Sequence, residues 1–198
     1  MFILANKNEF YICVDELILI IDMIPKAFFI TSGVGMAYDH DAAFDLALQD
    51  AGIGECNLVE VSSILPAKAK EVDKMSCRCT PGEITFCVLS RMAGKSGELI
   101  GAGVGYGWLR DSTDSDRNRN SNSPVFGIIC EHHGHHSRDY LESKIRNKLK
   151  TMADSRNRNI DKDKDKELKL DLKRIEVKTA VVEEHKFGSV VAALVFVT

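Results

Sequence analysis

Glycine takes every second position along residues 98–108: Gly101, Gly103, Gly105 and Gly107 alternate with Ala102, Val104, Tyr106 and Trp108. Successive side chains of an extended strand point to opposite faces, so one face of this segment is nearly bare. A bare strand face marks close approach, here by another sheet or by a neighbouring subunit. The chain is thereby committed to a sheet with something pressed against it. Residues 83–90 alternate as a second strand, and Lys95-Ser96-Gly97 is expected to join the two as a hairpin.

The remaining pattern is read outward from that pair. Residues 26–31 form a buried first strand, and Ser32-Gly33-Val34-Gly35 reads as a tight glycine turn. It is not a phosphate loop, because both the Gly-Lys-Ser/Thr ending and the dinucleotide spacing are missing. Residues 39–51 have helical spacing, with Ala43, Leu46 and Ala47 on one face, Asp39 or Asp41 as cap and Gly52 as terminator. Residues 56–61 and 124–130 read as strands, the second ending at Glu131. Residues 137–152 form a second amphipathic helix, with Tyr140, Leu141, Ile145 and Leu149 on its apolar face. Residues 168–184 and 190–197 supply two last strands, turned at Lys186-Phe187-Gly188. Residues 68–80 are expected as loop, 111–123 as a mobile loop rich in Asp, Ser, Asn and Arg, and 154–166 as a solvated Asp/Lys linker. Strands with one early and one late helix give an α+β sandwich with mostly antiparallel pairing.

Length and charge narrow the function. The 198 residues suit one domain, and 44% hydrophobic content can fill a core. A net charge of −3 gives no argument for nucleic acid or an anionic membrane surface as partner. Residues 1–22 are too short and too charged for a membrane span and lack a basic leader. Six scattered cysteines read as reduced thiols in a cytoplasmic protein, and Cys77 with Cys79 lacks the second pair that a zinc site needs.

The chemistry centres on Glu60-Val61-Ser62-Ser63-Ile64-Leu65-Pro66. A strand runs into two serines and a proline, and Pro66 forbids its continuation as a central strand. A Ser-Ser pair alone is an ordinary turn. Its surroundings are not ordinary. The ordered set Ala51-Gly52-Ile53-Gly54, Asn57-Leu58 and Ser62-Ser63-Ile64-Leu65-Pro66 resembles the small pyruvoyl-dependent arginine decarboxylases. Pro25-Lys26-Ala27-Phe28-Phe29, Ser32-Gly33-Val34-Gly35 and Gly127-Ile128-Ile129-Cys130-Glu131 agree with it. The resemblance covers the chain from about Met23 onward, leaving residues 1–22 as an N-terminal extension. That extension is either a mis-called translation start, the favoured reading, or an extra strand or helix.

The resemblance implies a four-layer αββα sandwich and a homotrimer of cleaved protomers, with a hexamer as a further assembly. It implies cleavage between Ser62 and Ser63: the Ser63 hydroxyl attacks the Ser62 carbonyl, and β-elimination and hydrolysis leave a covalent pyruvoyl group at position 63. That carbonyl would bind the amine of L-arginine as a Schiff base and draw off electrons as carbon dioxide leaves, giving agmatine for polyamine synthesis. The attack calls for a held, strained peptide and for donors to the oxyanion. Asn57 corresponds to the family's side-chain amide near the site, Glu131 to its proton donor and Asp45 to its guanidinium contact. Desolvation would raise the Glu131 pKa and keep its proton available. A carboxylate such as Asp45 can grip a guanidinium through paired hydrogen bonds.

Other readings stay open. The substrate could be another amino acid, or the chain could be an uncleaved, non-catalytic paralogue. His132, His133, His135 and His136 crowd one corner, but the helical His-Glu-x-x-His spacing is missing and no metal site is expected.

Overall fold

The computed structural model describes residues 2–6, 9–14, 17–22, 24–77, 79–111, 124–158 and 167–197, the first three segments in backbone course only. The described residues form twelve strands and two α-helices. Strands β1 (Phe2–Asn6), β2 (Glu9–Val14) and β3 (Leu17–Asp22) form a three-stranded antiparallel meander. The others are β4 (Ala27–Ala37), β5 (Asn57–Glu60), β6 (Ile64–Leu65), β7 (Lys70–Glu71), β8 (Ile84–Lys95), β9 (Leu99–Asp111), β10 (Phe126–Gly134), β11 (Leu168–Val181) and β12 (Phe187–Val197). They form two sheets, in the orders β5-β8-β12-β4-β7 and β11-β9-β10-β6. Pairing is antiparallel except for β5 on β8 and β7 on β4.

Helix α1 (His40–Asp50) begins where Asp39 accepts from the N–H groups of Asp41 and Ala42, at 2.9 and 3.1 Å, and gives way to Gly52 at φ +70°. Both ends agree with the sequence. Its inner face does not fully agree: Ala43 and Ala47 are buried, whereas Leu46 faces out. The expected turn at 32–35 is instead the middle of β4. Gly33 and Gly35 serve packing, since a Cβ on either would stand 2.2 Å from a carbonyl oxygen of α1. A small-residue helix on a glycine strand can approach this closely, and glycine in a sequence signals a turn and such an approach alike.

The glycine stripe of β9 has a related explanation. Its occupant is neither a sheet nor a subunit but helix α2 (Arg138–Arg158). A Cβ on Gly101 would meet Leu141 at 2.6 Å, and one on Gly103 or Gly105 would meet Ile145 at 2.8 or 2.7 Å. Leu170 of β11 covers Gly107. Tyr140 lies on the exposed side of α2, unlike Leu141, Ile145 and Leu149, which are fully buried.

The segment 95–97 is not a hairpin. It carries the chain from β8 in the five-stranded sheet to β9 in the other, because both edges of each strand are already paired. The last turn falls at 183–186, with His185 at φ +60°, and Gly188 lies inside β12 against Val182. Within the expected loop 68–80 lie β7 and a 3-10 turn at Lys74–Ser76. α2 runs on to Arg158, past the expected start of the linker at 154. The rest of that linker and the loop expected at 111–123, beyond Asp111, lie outside the described residues.

Three apolar cores hold the elements together. Phe28, Val88, Val190 and Leu194 of one sheet meet Ile100, Val104, Trp108 and Ile129 of the other. Ala47, Ala51 and Ile53 pack on Phe29, Cys87 and Val191. Leu141, Ile145, Leu149 and Ala153 pack on Ile128, Cys130 and Val177. A polar clasp joins the two sheets: the Tyr106 hydroxyl donates to Glu71 Oε2 at 2.8 Å, and Arg174 donates to Glu71 Oε1 at 2.7 Å. Burial and that bond to a carboxylate raise the Tyr106 pKa well above the usual phenol range, so it stays a donor.

Candidate active site

The two serines sit where the chain steps from one sheet to the other. Before them, the Val61 N–H donates to the Cys87 carbonyl of β8 at 2.9 Å. After them, the Ser63 carbonyl accepts from the Ile129 N–H of β10 at 3.0 Å, and Ile64 and Leu65 pair with Ile128 and Gly127. Gly127 permits this approach, because a Cβ there would stand 2.7 Å from Leu65 and 2.9 Å from the Trp108 ring. The Ser62–Ser63 peptide is therefore pinned on both sides. Between the pins, the Ser62 carbonyl accepts from the Ile64 N–H at 3.0 Å, closing a three-residue turn. That donor polarises the carbonyl that the Ser63 hydroxyl would attack. Neither serine has a left-handed φ; among the described non-glycine residues only His185 does. The peptide is held, and no backbone strain marks it.

Glu131 arrives from β10, two residues beyond Ile129 and so on the same face. Its Oε2 lies 3.5 Å from Ser63 Oγ, a long contact that can carry a proton after modest tightening. A cavity of about 570 Å³ opens at these two side chains, walled by Ile129, Cys130 and the α2 residues Lys144, Asn147, Lys148, Thr151 and Met152. This volume suits one amino acid with room for water. Burial pushes the Cys130 thiol up to about 11, so it stays protonated and does not compete with Ser63 as a nucleophile. On the other side of the scissile peptide, Ser62 borders an apolar cavity of about 270 Å³ with Pro25, Phe86 and Phe196.

Asn57 and Asp45 are not brought to Ser63 within one chain. Asn57 opens β5, six residues before Ser63, and extended chain covers about 3.3 Å per residue. Its amide donates to the Gly82 carbonyl at 2.8 Å. It lines a separate cavity of about 320 Å³ with Phe44, Leu48, Glu60 and Arg91. Asp45 is exposed on α1 beside Phe44, and accepts from the Gln49 amide at 2.6 Å. The constellation divides into two halves, Ser63 with Glu131 and Asn57 with the α1 face.

The histidine corner is ordered by stacking. The His132 and His136 rings lie 6.0 Å apart, and His136 lies 4.2 Å from Tyr140. Among the described residues no group of three or more His, Cys, Asp or Glu side chains is arranged to hold a metal ion. Lys148 was not foreseen. Its ammonium lies 3.2 Å from the Glu131 carbonyl and 3.3 Å from His132 Nδ1. Helical spacing from Lys144 was the only signal, and on a polar helix face that signal is commonplace.

A family model described as pyruvoyl-dependent arginine decarboxylase matches residues 27–198. Among curated proteins, the chain is similar to a probable pyruvoyl-dependent arginine decarboxylase of Chlorobaculum parvum, 35% identical over 136 residues, which are 65% of this chain and 69% of that one. It is 42% identical over 115 residues to pyruvoyl-dependent arginine decarboxylase 2 of Archaeoglobus fulgidus, covering 57% of this chain and 66% of the relative. With the pyruvoyl-dependent arginine decarboxylase of Methanococcoides burtonii it shares 39% identity over 114 residues, 56% of this chain and 57% of the relative. The chain thus spans between 57% and 69% of the length of these relatives.

Proposed function

We propose, for a chain that belongs to the pyruvoyl-dependent arginine decarboxylase family, that it cuts itself between Ser62 and Ser63 and then converts L-arginine to agmatine and carbon dioxide. The observation that carries this reading is the pinned Ser62–Ser63 peptide, with a donor on its carbonyl and Glu131 3.5 Å from the Ser63 hydroxyl.

Self-cleavage follows from these residues. Ser63 Oγ attacks the Ser62 carbonyl carbon while Glu131 takes the hydroxyl proton, and the Ile64 N–H steadies the oxyanion. Glu131 passes that proton to the Ser63 nitrogen as the C–N bond breaks, leaving a free amine and an ester. Loss of the Ser63 Cα proton expels the Ser62 carboxylate and leaves dehydroalanine. Water then replaces its nitrogen, released as ammonia, and a ketone stands at position 63. The Ile129 N–H keeps hold of that residue's own carbonyl throughout. The site fits a pyruvoyl group, since the side chain that becomes it faces a cavity of suitable size. Once formed, that group supplies an electron-accepting carbonyl against which an amino acid can lose carbon dioxide. Glu131 Oε2 is then the acid that returns a proton to the carbon left behind.

Asn57 and Asp45 complete the site from a second copy, as organiser of the site and as partner to the guanidinium. The separation of the two halves within one chain supports this, as do the exposed apolar side chains Val59, Val61, Ile64 and Ile84 around the β5 edge. A homotrimer, with a hexamer as the larger assembly, satisfies that need. Helices outside two facing sheets, each over its own core, support a four-layer αββα arrangement. The working unit is 23–198, with 1–22 as an extension. Among the described residues no helix is long and apolar enough to cross a membrane, and the five described cysteines are free thiols. The free thiols support a cytoplasmic setting.

The test is carbon dioxide release from L-arginine, compared with lysine, ornithine, aspartate and histidine. Arginine should be preferred, and Ser63→Ala should be inactive. Preference for another amino acid overturns the substrate, and an active Ser63→Ala variant overturns the chemistry.

A further inference from the structure

We propose that Lys148 is the binding subsite for the α-carboxylate of the amino acid substrate. The inference rests on the decarboxylase reading above and extends it to a residue that neither the sequence nor the family match had singled out. The cavity at Ser63 carries two ammonium groups, Lys144 and Lys148, both on α2, against one carboxylate, Glu131. Arginine brings a cation at one end of its side chain and an anion at Cα. Two cations on one wall repel the guanidinium and attract the carboxylate. The wall therefore sets the direction in which the substrate lies.

Both lysines are exposed, but Lys148 alone has its ammonium held by two polar partners. A free lysine head loses much rotational freedom on binding an anion. Here the Glu131 carbonyl, at 3.2 Å, and His132 Nδ1, at 3.3 Å, already fix the ammonium. Facing an ammonium, His132 Nδ1 acts as the acceptor, so the ring proton is on Nε2. Burial, and then Lys148, His136, His133 and Lys144, hold the His132 pKa below the usual imidazole range, consistent with a neutral acceptor. An ammonium has three donors, and these two acceptors use two of them. The third remains for the substrate. Lys144 instead lies over the Tyr140 ring at 5.3 Å.

The kinetic consequence has a definite form. The carboxylate loses its charge as carbon dioxide departs, so Lys148 holds the ground state more tightly than the transition state. Removing the ammonium should weaken arginine binding without slowing the chemical step. In processed Lys148→Met enzyme, KM for L-arginine should rise about tenfold or more, the size of a lost charge-assisted hydrogen bond, with kcat unchanged or higher. Agmatine has no carboxylate, and its calorimetric dissociation constant should not move. Lys148→Arg should keep KM within about threefold of the parent, because the charge is retained.

An unchanged KM, a fall in kcat, equal weakening of arginine and agmatine, or failure of Lys148→Met to self-cleave each overturns the assignment. The intact mass and arginine turnover of the parent enzyme separate this failure from failure of the underlying function. If the parent is uncut or inactive, the function is wrong. If the parent is cut and active while the variant behaves as the parent does, only the subsite is wrong.

Discussion

His132 shows how one ring can be constrained by everything packed around it. It is partly buried, it faces Lys148 at 3.3 Å, and it stacks on His136. All of these disfavour its protonated form. In the unfolded chain it titrates near the ordinary value of 6.5, whereas in the folded protein it does so lower. The unfolded state therefore takes up a proton first as pH falls. This residue's contribution to stability is complete above 6.5 and is lost as pH drops from there towards the lowered value. His132→Gln keeps an acceptor for Lys148 and removes the titration. Its urea-unfolding free energy should fall less between neutral pH and about pH 5 than that of the parent. An equal or steeper fall would mean that His132 does not carry this linkage. Ser63 and Glu131, the chemical residues, are reached in the sequence through the motifs that resemble the family; strand pattern alone makes them an ordinary turn and an ordinary carboxylate, and Glu131 lies inside β10 rather than at its end. Lys148 could not be so reached, since its partners are a backbone carbonyl and a ring on another element.

At the scale of elements, glycine governs how closely helices approach sheets. β4 and β9 each give up side chains so that a helix can lie on the backbone. Replacing Gly35 by alanine inserts a methyl 2.2 Å from the Ala43 carbonyl, and α1 must move. The expected cost is about 1–3 kcal/mol, read as a lowered denaturant midpoint. Gly82 provides the contrast. It has φ +84° but nothing within 4 Å of a new Cβ, so Gly82→Ala should cost only about 1 kcal/mol. If the two variants behave alike, close packing is not what β4 glycines are for. These positions also mark the limit of sequence reading. Strands, helix caps and the helical face of Leu141, Ile145 and Leu149 follow from periodicity, which is local. Whether a glycine turns the chain or admits a neighbour depends on the element that lands on it. For the same reason Lys95-Ser96-Gly97 looked like a hairpin, although its two strands belong to different sheets.

In the molecule as a whole, the scissile peptide is the place where the two sheets compete for the chain. The β8 side holds it at Val61 and the β10 side at Ser63, with one residue, Ser62, between them. The Tyr106–Glu71–Arg174 clasp ties the two sheets together, so both ends of the crossing stay held. Cleavage there would release a crossing strand while both sheets keep their cores. Fold class and antiparallel pairing were legible from the sequence. The division of Asn57 and Asp45 from Ser63 was not, because no pattern along a chain reports which cavity each residue lines once the chain has folded. The most direct test of the account is the mass of the purified protein under denaturing conditions. Two polypeptides are predicted, one ending in the carboxylate of Ser62 and the other starting with a borohydride-reducible carbonyl at position 63. A single uncut polypeptide that is nevertheless active on arginine would contradict it.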